Sequence, residues 1–154
     1  MTVGCGNVKI KVVESDVEKS ELDQLLWGVL WMPLNLPRNA RHSFRLGKPE
    51  IEIIAVEKDE VVGGLVANRL AEDEFEIRHI AVCTDYQGHS VGRMLIQELI
   101  REVGKGSTIL IRTYARNTSM GFFSRLGFVP EGDLLEHKDF IKHGIKFQQM
   151  CLKC

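Results

Sequence analysis

Residues 75–103 read FEIRHIAV-CTDYQGHS-VGRMLIQELIREV. An apolar strand, a short loop carrying Gln87, Gly88, Ser90 and Gly92, and an amphipathic helix follow one another without a break. Within the helix, Val91, Leu95, Leu99 and Val103 recur four apart, and Met94, Ile96 and Ile100 widen the apolar face. A strand that feeds a helix through such a loop builds an anion cradle. The N–H groups of the first turn have no partner inside the helix, and the helix dipole adds partial positive charge there. Gly88 and Gly92 carry no side chain to hold a phosphate away, and Ser90 is small with a hydroxyl donor. On physics alone the ligand carries a phosphate or pyrophosphate. Short glycine turns also serve merely to close a βα unit, so the loop does not decide alone.

Two nucleotide motifs fail against it. No Gly-Lys-Ser/Thr follows the loop, and Gly88-x-Ser90-x-Gly92 has the wrong spacing for the dinucleotide pattern G-x-G-x-x-G.

Working outward, residues 8–13 (VKIKVV) alternate as a half-buried strand. Ser15-Asp16 offers an N-cap to a helix that runs to Pro33, and the irregular stretch 33–49 leaves room for one short helix after Pro37. Residues 51–57 and 61–70 form a hairpin around the turn Lys58-Asp59, with Gly63-Gly64 marking a bulge or a close approach. Beyond the central helix come a strand at 108–114, a short helix at 119–126, and two last strands at 128–131 and 145–152. The order β α (α) β β β α β α β β joins an antiparallel half to βα crossovers. It predicts an α/β (α+β) domain with one mixed sheet of about seven strands and helices on both faces.

The chain has 154 residues, with 20 Lys and Arg against 21 Asp and Glu and a net charge of −1. That length suits a single domain over 1–154 that buries about 70% of its unfolded surface. A generic nucleic-acid binder or membrane-surface protein would show a basic excess, and none is present. The most apolar segment, 25–34, is interrupted by Gly28 and Pro33 and is far too short to span a membrane. The first sixteen residues lack a signal-peptide core, and Gly4-Cys5 lacks the hydrophobic stretch that a lipidation site requires. Without an export signal, Cys5, Cys83, Cys151 and Cys154 point to a reducing cytoplasm. Cys151-x-x-Cys154 has metal or redox spacing but no second ligand pair, so both are expected as thiols of a terminal strand, with no metal.

The loop Gln87-Gly88-His89-Ser90-Val91-Gly92, preceded by Ile80-Ala81-Val82 and followed by Arg93, resembles the acetyl-CoA motif Q/R-x-x-G-x-G/A of the GNAT superfamily of N-acetyltransferases. A second block about 30 residues on, Asn117, Phe122-Phe123 and Leu126-Gly127-Phe128, is similar to that family's N…(F/Y)Y…LGF. The two blocks and the element order together extend the resemblance over about residues 8–153. It implies a sheet splayed between its fourth and fifth strands and acetyl-CoA as co-substrate. Backbone N–H groups from Gly88 to Arg93 would hold the pyrophosphate, and the main chain of Ile80 and Val82 would pair with pantetheine. Asn117 would line the far wall of the slot, or cap the short helix. The family also leaves a homodimer open.

Acetyl transfer to an amine needs a base for the ammonium proton, donors for the developing oxyanion and a proton for the thiolate. Glu76 matches the catalytic glutamate of histone-acetylating members; His79 is the other titratable group on that strand. By simple alternation Glu76, Arg78, Ile80 and Val82 share a face, unless a bulge breaks the count. Two residues depart from the family pattern. Ser90 replaces a glycine, and Phe123 stands where many members carry the tyrosine that protonates the thiolate. Water, Tyr114 or Ser124 would then supply that proton, or none is needed. The acceptor region comprises Trp27, Trp31, the loop 33–44 and residues 134–147. There Arg38, Arg41 and Arg45 read as solvated loop charges, with attraction of an anionic acceptor as the alternative, and the tryptophans read as core. The leading expectation is acetyl transfer to a primary amine of a small molecule or protein. A non-catalytic acyl-CoA-binding module is the alternative, and a phosphate- or nucleotide-binding α/β domain rests on the glycine loop alone.

Overall fold

Ser15 opens the first helix as its N-cap, its hydroxyl accepting from the Glu18 N–H at 3.2 Å. In the computed structural model, which describes residues 7–154, this helix, α1, spans Asp16–Leu26. Gly4-Cys5 lies outside the described residues. The helix expected to continue to Pro33 instead widens into a π turn at Trp27–Trp31 and tightens into a 3-10 turn at Met32–Leu34. The wider turn separates the two tryptophans. Trp31 is buried, whereas Trp27 is half-buried and donates its indole N–H to the Leu36 carbonyl at 3.1 Å. A short helix α2 (Ala40–Ser43) follows.

Among the described residues, seven strands make one sheet: β1 (Lys9–Val12), β2 (Glu50–Glu57), β3 (Glu60–Ala71), β4 (Glu74–Val82), β5 (Leu110–Arg116), β6 (Val129–Leu135) and β7 (Phe147–Lys153). Their order is β1-β2-β3-β4-β5-β7-β6, antiparallel throughout except for the parallel pair β4–β5. The long helix α3 (Val91–Gly104) makes the β4-to-β5 crossover, and α4 (Met120–Arg125) follows β5.

Each face of the sheet has its own core. Leu22, Leu25 and Leu26 of α1 pack with Ile54, Val66 and Ala81 on one face. On the other, Leu95, Ile96 and Leu99 of α3 and Phe123 of α4 pack with Leu65, Ala67 and Ile77. Gly63 and Gly64 lie where both helices come closest. A Cβ on Gly63 would sit 3.0 Å from Val91 Cγ1 of α3, and one on Gly64 only 2.1 Å from Leu22 Cδ1 of α1. A register shift places the extra residue Val62 in the same strand, so bulge and close approach coexist. The turn Lys58-Asp59 has φ of +51° and +64°, the backbone of a two-residue hairpin loop.

Cys151 is buried on β7 and Cys154 exposed just beyond it, still paired with Ile109 through two 2.9 Å backbone bonds. Residues three apart on extended backbone point to opposite faces, so the pair does not converge on a metal. Among the described residues, no group of His, Cys, Asp and Glu is arranged to hold one. Among the same residues no helix is long and apolar enough to cross a membrane.

Candidate active site

Strands β4 and β5 pair over only four positions, Glu74–Ile77 against Leu110–Thr113. Beyond them the strands part. The Thr113 hydroxyl donates to the Ile77 carbonyl at 3.1 Å at the point of divergence. On the β3 side, Val66 pairs with His79 and Ala67 with Ile77, leaving Arg78 as a bulge. The bulge corrects the alternation expected from the sequence. Glu76, His79 and Ala81 share the α1 face through their partners Asn68, Val66 and Gly64, while Ile77, Ile80 and Val82 face α3. The Cys83 N–H bonds to Val62 of β3 at 2.8 Å, so by alternation Ile80 and Val82 turn their backbone groups into the opened slot. One of these groups is already engaged: Gln87 Nε2 donates to the Val82 carbonyl at 2.9 Å.

At the end of β4 the loop is fixed before it reaches the helix. The neighbouring Glu57 carboxylate of β2, with burial, pushes the Tyr86 phenol up to about 12, and the Tyr86 N–H bonds back to the Cys83 carbonyl at 2.9 Å. Gly88 takes φ of +83°, with no atom within 4 Å of where its Cβ would stand. Ser90 takes φ of +66°, a left-handed position that disfavours side chains, and its hydroxyl does not cap the helix. The first helical bond runs from Met94 N–H to Ser90 C=O at 3.0 Å. The N–H groups of Val91, Gly92 and Arg93 are therefore open at the helix start, with Gly88 and Ser90 exposed beside them. His89 differs: its N–H turns back to Tyr86 C=O at 3.4 Å. Val91 is a core residue, so only its main chain can face an anion. Gly92 is needed for packing too, because a Cβ there would lie 2.9 Å from Phe122 Cζ.

Where the strands part, a cavity of about 320 Å³ passes through the sheet. Ile80, Thr113, Ser119 and Phe123 line it from the α3–α4 side. Trp31, Phe44, Arg78, His79, Tyr114 and Arg116 line it from the α1 side, and residues 135–137, Phe140 and Phe147 cover it. The regions expected to shape an acceptor thus meet here, apart from Trp27. Ring contacts stitch them together: Trp31 to His79 at 4.9 Å, Trp31 to Phe44 at 5.6 Å, and Phe140 to His137 and to Phe147 at 5.2 Å each.

The candidate side chains fall into different places. Glu76 is buried beside the cavity without lining it, and its carboxylate accepts from Arg78 Nη1. Arg78 also donates to the Phe44 carbonyl at 2.6 Å, anchoring the loop before β2. His79 does line the cavity. Burial, together with the positive charge of Arg78, Arg41 and Arg116, pulls its imidazole down to about 3. Phe123 is 2% exposed and stacks edge-on against Phe122 and Phe128. Of the two hydroxyl substitutes, Tyr114 lines the cavity and is 40% exposed, whereas Ser124 faces solvent elsewhere. Asn117 makes no cap bond. Its side chain accepts from Lys146 N–H at 3.1 Å and donates to Gly144 C=O at 3.4 Å, tying the end of β5 to the start of β7.

Of the three loop arginines, Arg38 and Arg45 are exposed as expected, but Arg41 is not a solvated charge. Arg41 is 2% exposed and pairs with Glu52 at 2.7 Å and with Asp23 and Glu50 at 3.2 Å each. Arg38 and Arg45 join the same network through Asp23 and Glu50. Burial opposes the charge of Arg41, but the surrounding carboxylates outweigh it and raise its pKa. Arg116, absent from the sequence-based candidates, is the addition that the fold makes to the cavity. The available sequence signal was Tyr114 and Arg116 alternating at the end of a strand, on positions that a fully paired sheet would fill with apolar residues.

A family model described as an acetyltransferase (GNAT) domain matches residues 49–130, more than half of the chain. Among solved structures, an aminoglycoside 6'-N-acetyltransferase complexed with coenzyme A superimposes at a TM-score of 0.73 and 17% identity, over 94% of this chain and 96% of that one. The ribosomal-protein-S18-alanine N-acetyltransferase from Escherichia coli gives 0.69 at 18% identity, over 95% and 93%. Tetrahymena GCN5 gives 0.69 at 19%, over 94% and 95%. At these identities the structural likeness speaks for the fold. With the family model over the strand, loop and helix that carry the cradle, it establishes that the chain belongs to the GNAT acetyltransferase family.

Proposed function

We propose that the chain transfers the acetyl group of acetyl-CoA to a primary amine by direct attack on the thioester. The observation that carries this reading is the cavity where β4 and β5 part, walled by Ile80, Thr113 and Phe123 on one side and by an aromatic chamber on the other, on the strand that leads into the open helix start. The residues present fit coenzyme A. Open N–H groups at Val91, Gly92 and Arg93, with Gly88 and Ser90 beside them, suit a pyrophosphate. The free edge of β4 at Ile80 suits the pantetheine amides. Gln87, bonded to the Val82 carbonyl, would either hold the loop or yield that carbonyl to the cofactor. Asn117 and Phe123 act as wall and packing in this proposal.

Acetyl-CoA would supply the activated carbonyl, and the chain must orient the amine, take its proton and return one to sulfur. The amine lone pair forms the new N–C bond as the C–S bond breaks. The amine proton passes through water to Glu76, since that carboxylate lies beside the cavity and not in it. Tyr114 Oη, on the cavity wall, gives a proton to the thiolate in place of the hydroxyl that Phe123 lacks. His79, pulled to about 3, is neutral at physiological pH and a weak base. The reducing cytoplasm suits the free thiols of Cys83, Cys151 and Cys154.

Phe123 also favours a second reading, a module that binds acyl-CoA without transfer. Thiol release from acetyl-CoA over a panel of small and peptidic amines separates the two. We expect amine-dependent release in wild type and a fall of about 100-fold in Glu76→Gln, the lower end of the range for a proton-transfer group, as suits a carboxylate acting through water. Tight CoA binding with no release on any amine would favour the module, and absence of CoA binding would overturn both readings.

A further inference from the structure

The arginines of the α1 face, Arg41 buried and Arg78, Arg112 and Arg116 half-buried, differ in one respect. Arg41 is neutralised by Asp23, Glu50 and Glu52, Arg78 by Glu76, and Arg112 by Glu74 at 2.9 Å. Arg116 has no carboxylate within salt-bridge distance among the described residues. Its Nη2 donates to the Leu30 carbonyl at 2.8 Å, and its guanidinium lies 5.3 Å from the Phe140 ring centroid. These contacts fix its orientation without neutralising it, and the side chain lines the cavity. A guanidinium stays protonated even when buried, and leaving it uncompensated in a desolvated site is costly. Consistent with this, burial lowers its pKa and no acidic neighbour offsets the effect.

The other charges at the chamber are occupied. Glu136 at the rim faces Lys146 at 3.7 Å, Arg78 is paired with Glu76, and His137 Nδ1 accepts from the Asp139 N–H at 3.1 Å. The remaining wall is aromatic, with Trp31, Phe44 and Phe140. A site made of one uncompensated fork and three large rings selects a ligand with an anionic group and an apolar body. Resting on the acetyltransferase reading, we propose that the acceptor is an apolar or aromatic amine that bears a carboxylate, and that Arg116 is the specificity-determining residue that binds this carboxylate. The cavity of about 320 Å³ suits a molecule of amino-acid size. The same positive charge disfavours the ammonium form of a nearby amine, so Arg116 also helps to present the neutral nucleophile.

The test is equilibrium titration of N-acetylphenylalanine and of its uncharged amide into the full chain. These product mimics carry the ring and the carboxylate or its neutral replacement, and their binding needs no turnover. Wild type is expected to bind the acid about 100-fold more tightly than the amide. In Arg116→Gln that ratio falls to near one, and in Arg116→Lys, which keeps the charge but not the fork, to about 10-fold. Equal affinities for acid and amide in wild type, binding of neither, or a ratio that survives in a folded Arg116→Gln would each overturn the proposal. If Arg116→Gln does not fold, the drop in Arg116→Lys decides. Titration of CoA separately tests the parent reading: failure there with the acid preference intact would remove the cofactor assignment and leave the Arg116 site standing.

Discussion

The two ends of the slot between β4 and β5 are built from different materials. At the cradle end the proposed working groups are main-chain N–H groups, and Gly88 and Gly92 leave them uncovered because they carry no side chain. At the chamber end the work falls to side chains brought from the α1 π turn, the loop before β2, β5 and the segment before β7. Backbone sites depend on local conformation, which a few consecutive residues can specify. Side-chain sites depend on packing between elements distant in sequence, and each member leans on a network that holds it.

The largest effect should come from breaking that network. Arg41→Ala leaves the carboxylates of Asp23, Glu50 and Glu52 buried or half-buried without their central cation. Urea unfolding should show a loss of about 3–5 kcal/mol, the range for breaking a buried ion pair. A loss below about 1 kcal/mol would mean that Lys19, Arg38 and Arg45 can replace it, and that the chamber is more tolerant than the comparison holds.

Next comes the cradle. Gly92→Glu puts a carboxylate where the cofactor's pyrophosphate would sit and drives its Cβ toward Phe122. Calorimetric titration should show CoA affinity at least about 100-fold weaker, combining like-charge repulsion with lost access to the helix N-terminus. Gly92→Ala isolates the crowding of the Phe122 ring and should weaken binding less. If the two variants are equal, packing alone makes the glycine necessary.

The smallest of the three concerns His79. Its folded pKa of about 3 lies below the ordinary value of 6.5, so between these pH values the unfolded chain binds the extra proton. Stability contributed by the neutral, buried imidazole is present above about pH 6.5 and is lost as pH falls. The slope is about 1.4 kcal/mol per pH unit, or about 2 kcal/mol between pH 6.5 and 5. His79→Gln should flatten that interval in urea unfolding followed across pH. An unchanged slope would show that another group carries the acid sensitivity.

The comparison also explains what the sequence could tell. The strand–loop–helix of residues 75–103 was legible because periodicity and glycine spacing are local, and the mixed sheet followed from the order of hairpin and crossovers. The expected opening of the sheet is visible where β4–β5 pairing stops at Ile77 and Thr113. What escaped was long-range or a matter of register. Alternation put Glu76 on a face with Ile80 until the bulge at Arg78 reversed the phase. Arg41 read as a loop charge because its three partners lie 9 to 18 residues away, on α1 and β2. Asn117 read in part as a helix cap, yet its side chain bonds to residues 27 and 29 positions further on. Arg116 attracted no notice, because only the folded chain shows a half-buried arginine on the cavity wall with no acid partner among the described residues.

Both ends of the slot serve one claim, that an amine reaching the chamber meets a thioester held from the cradle. Mass spectrometry of amines incubated with carbon-13-acetyl-CoA and the full chain measures it most directly. The account predicts a labelled N-acetyl product formed in proportion to thiol released, from amines small enough for the chamber. Tight binding of acetyl-CoA with no labelled product from any amine would contradict it.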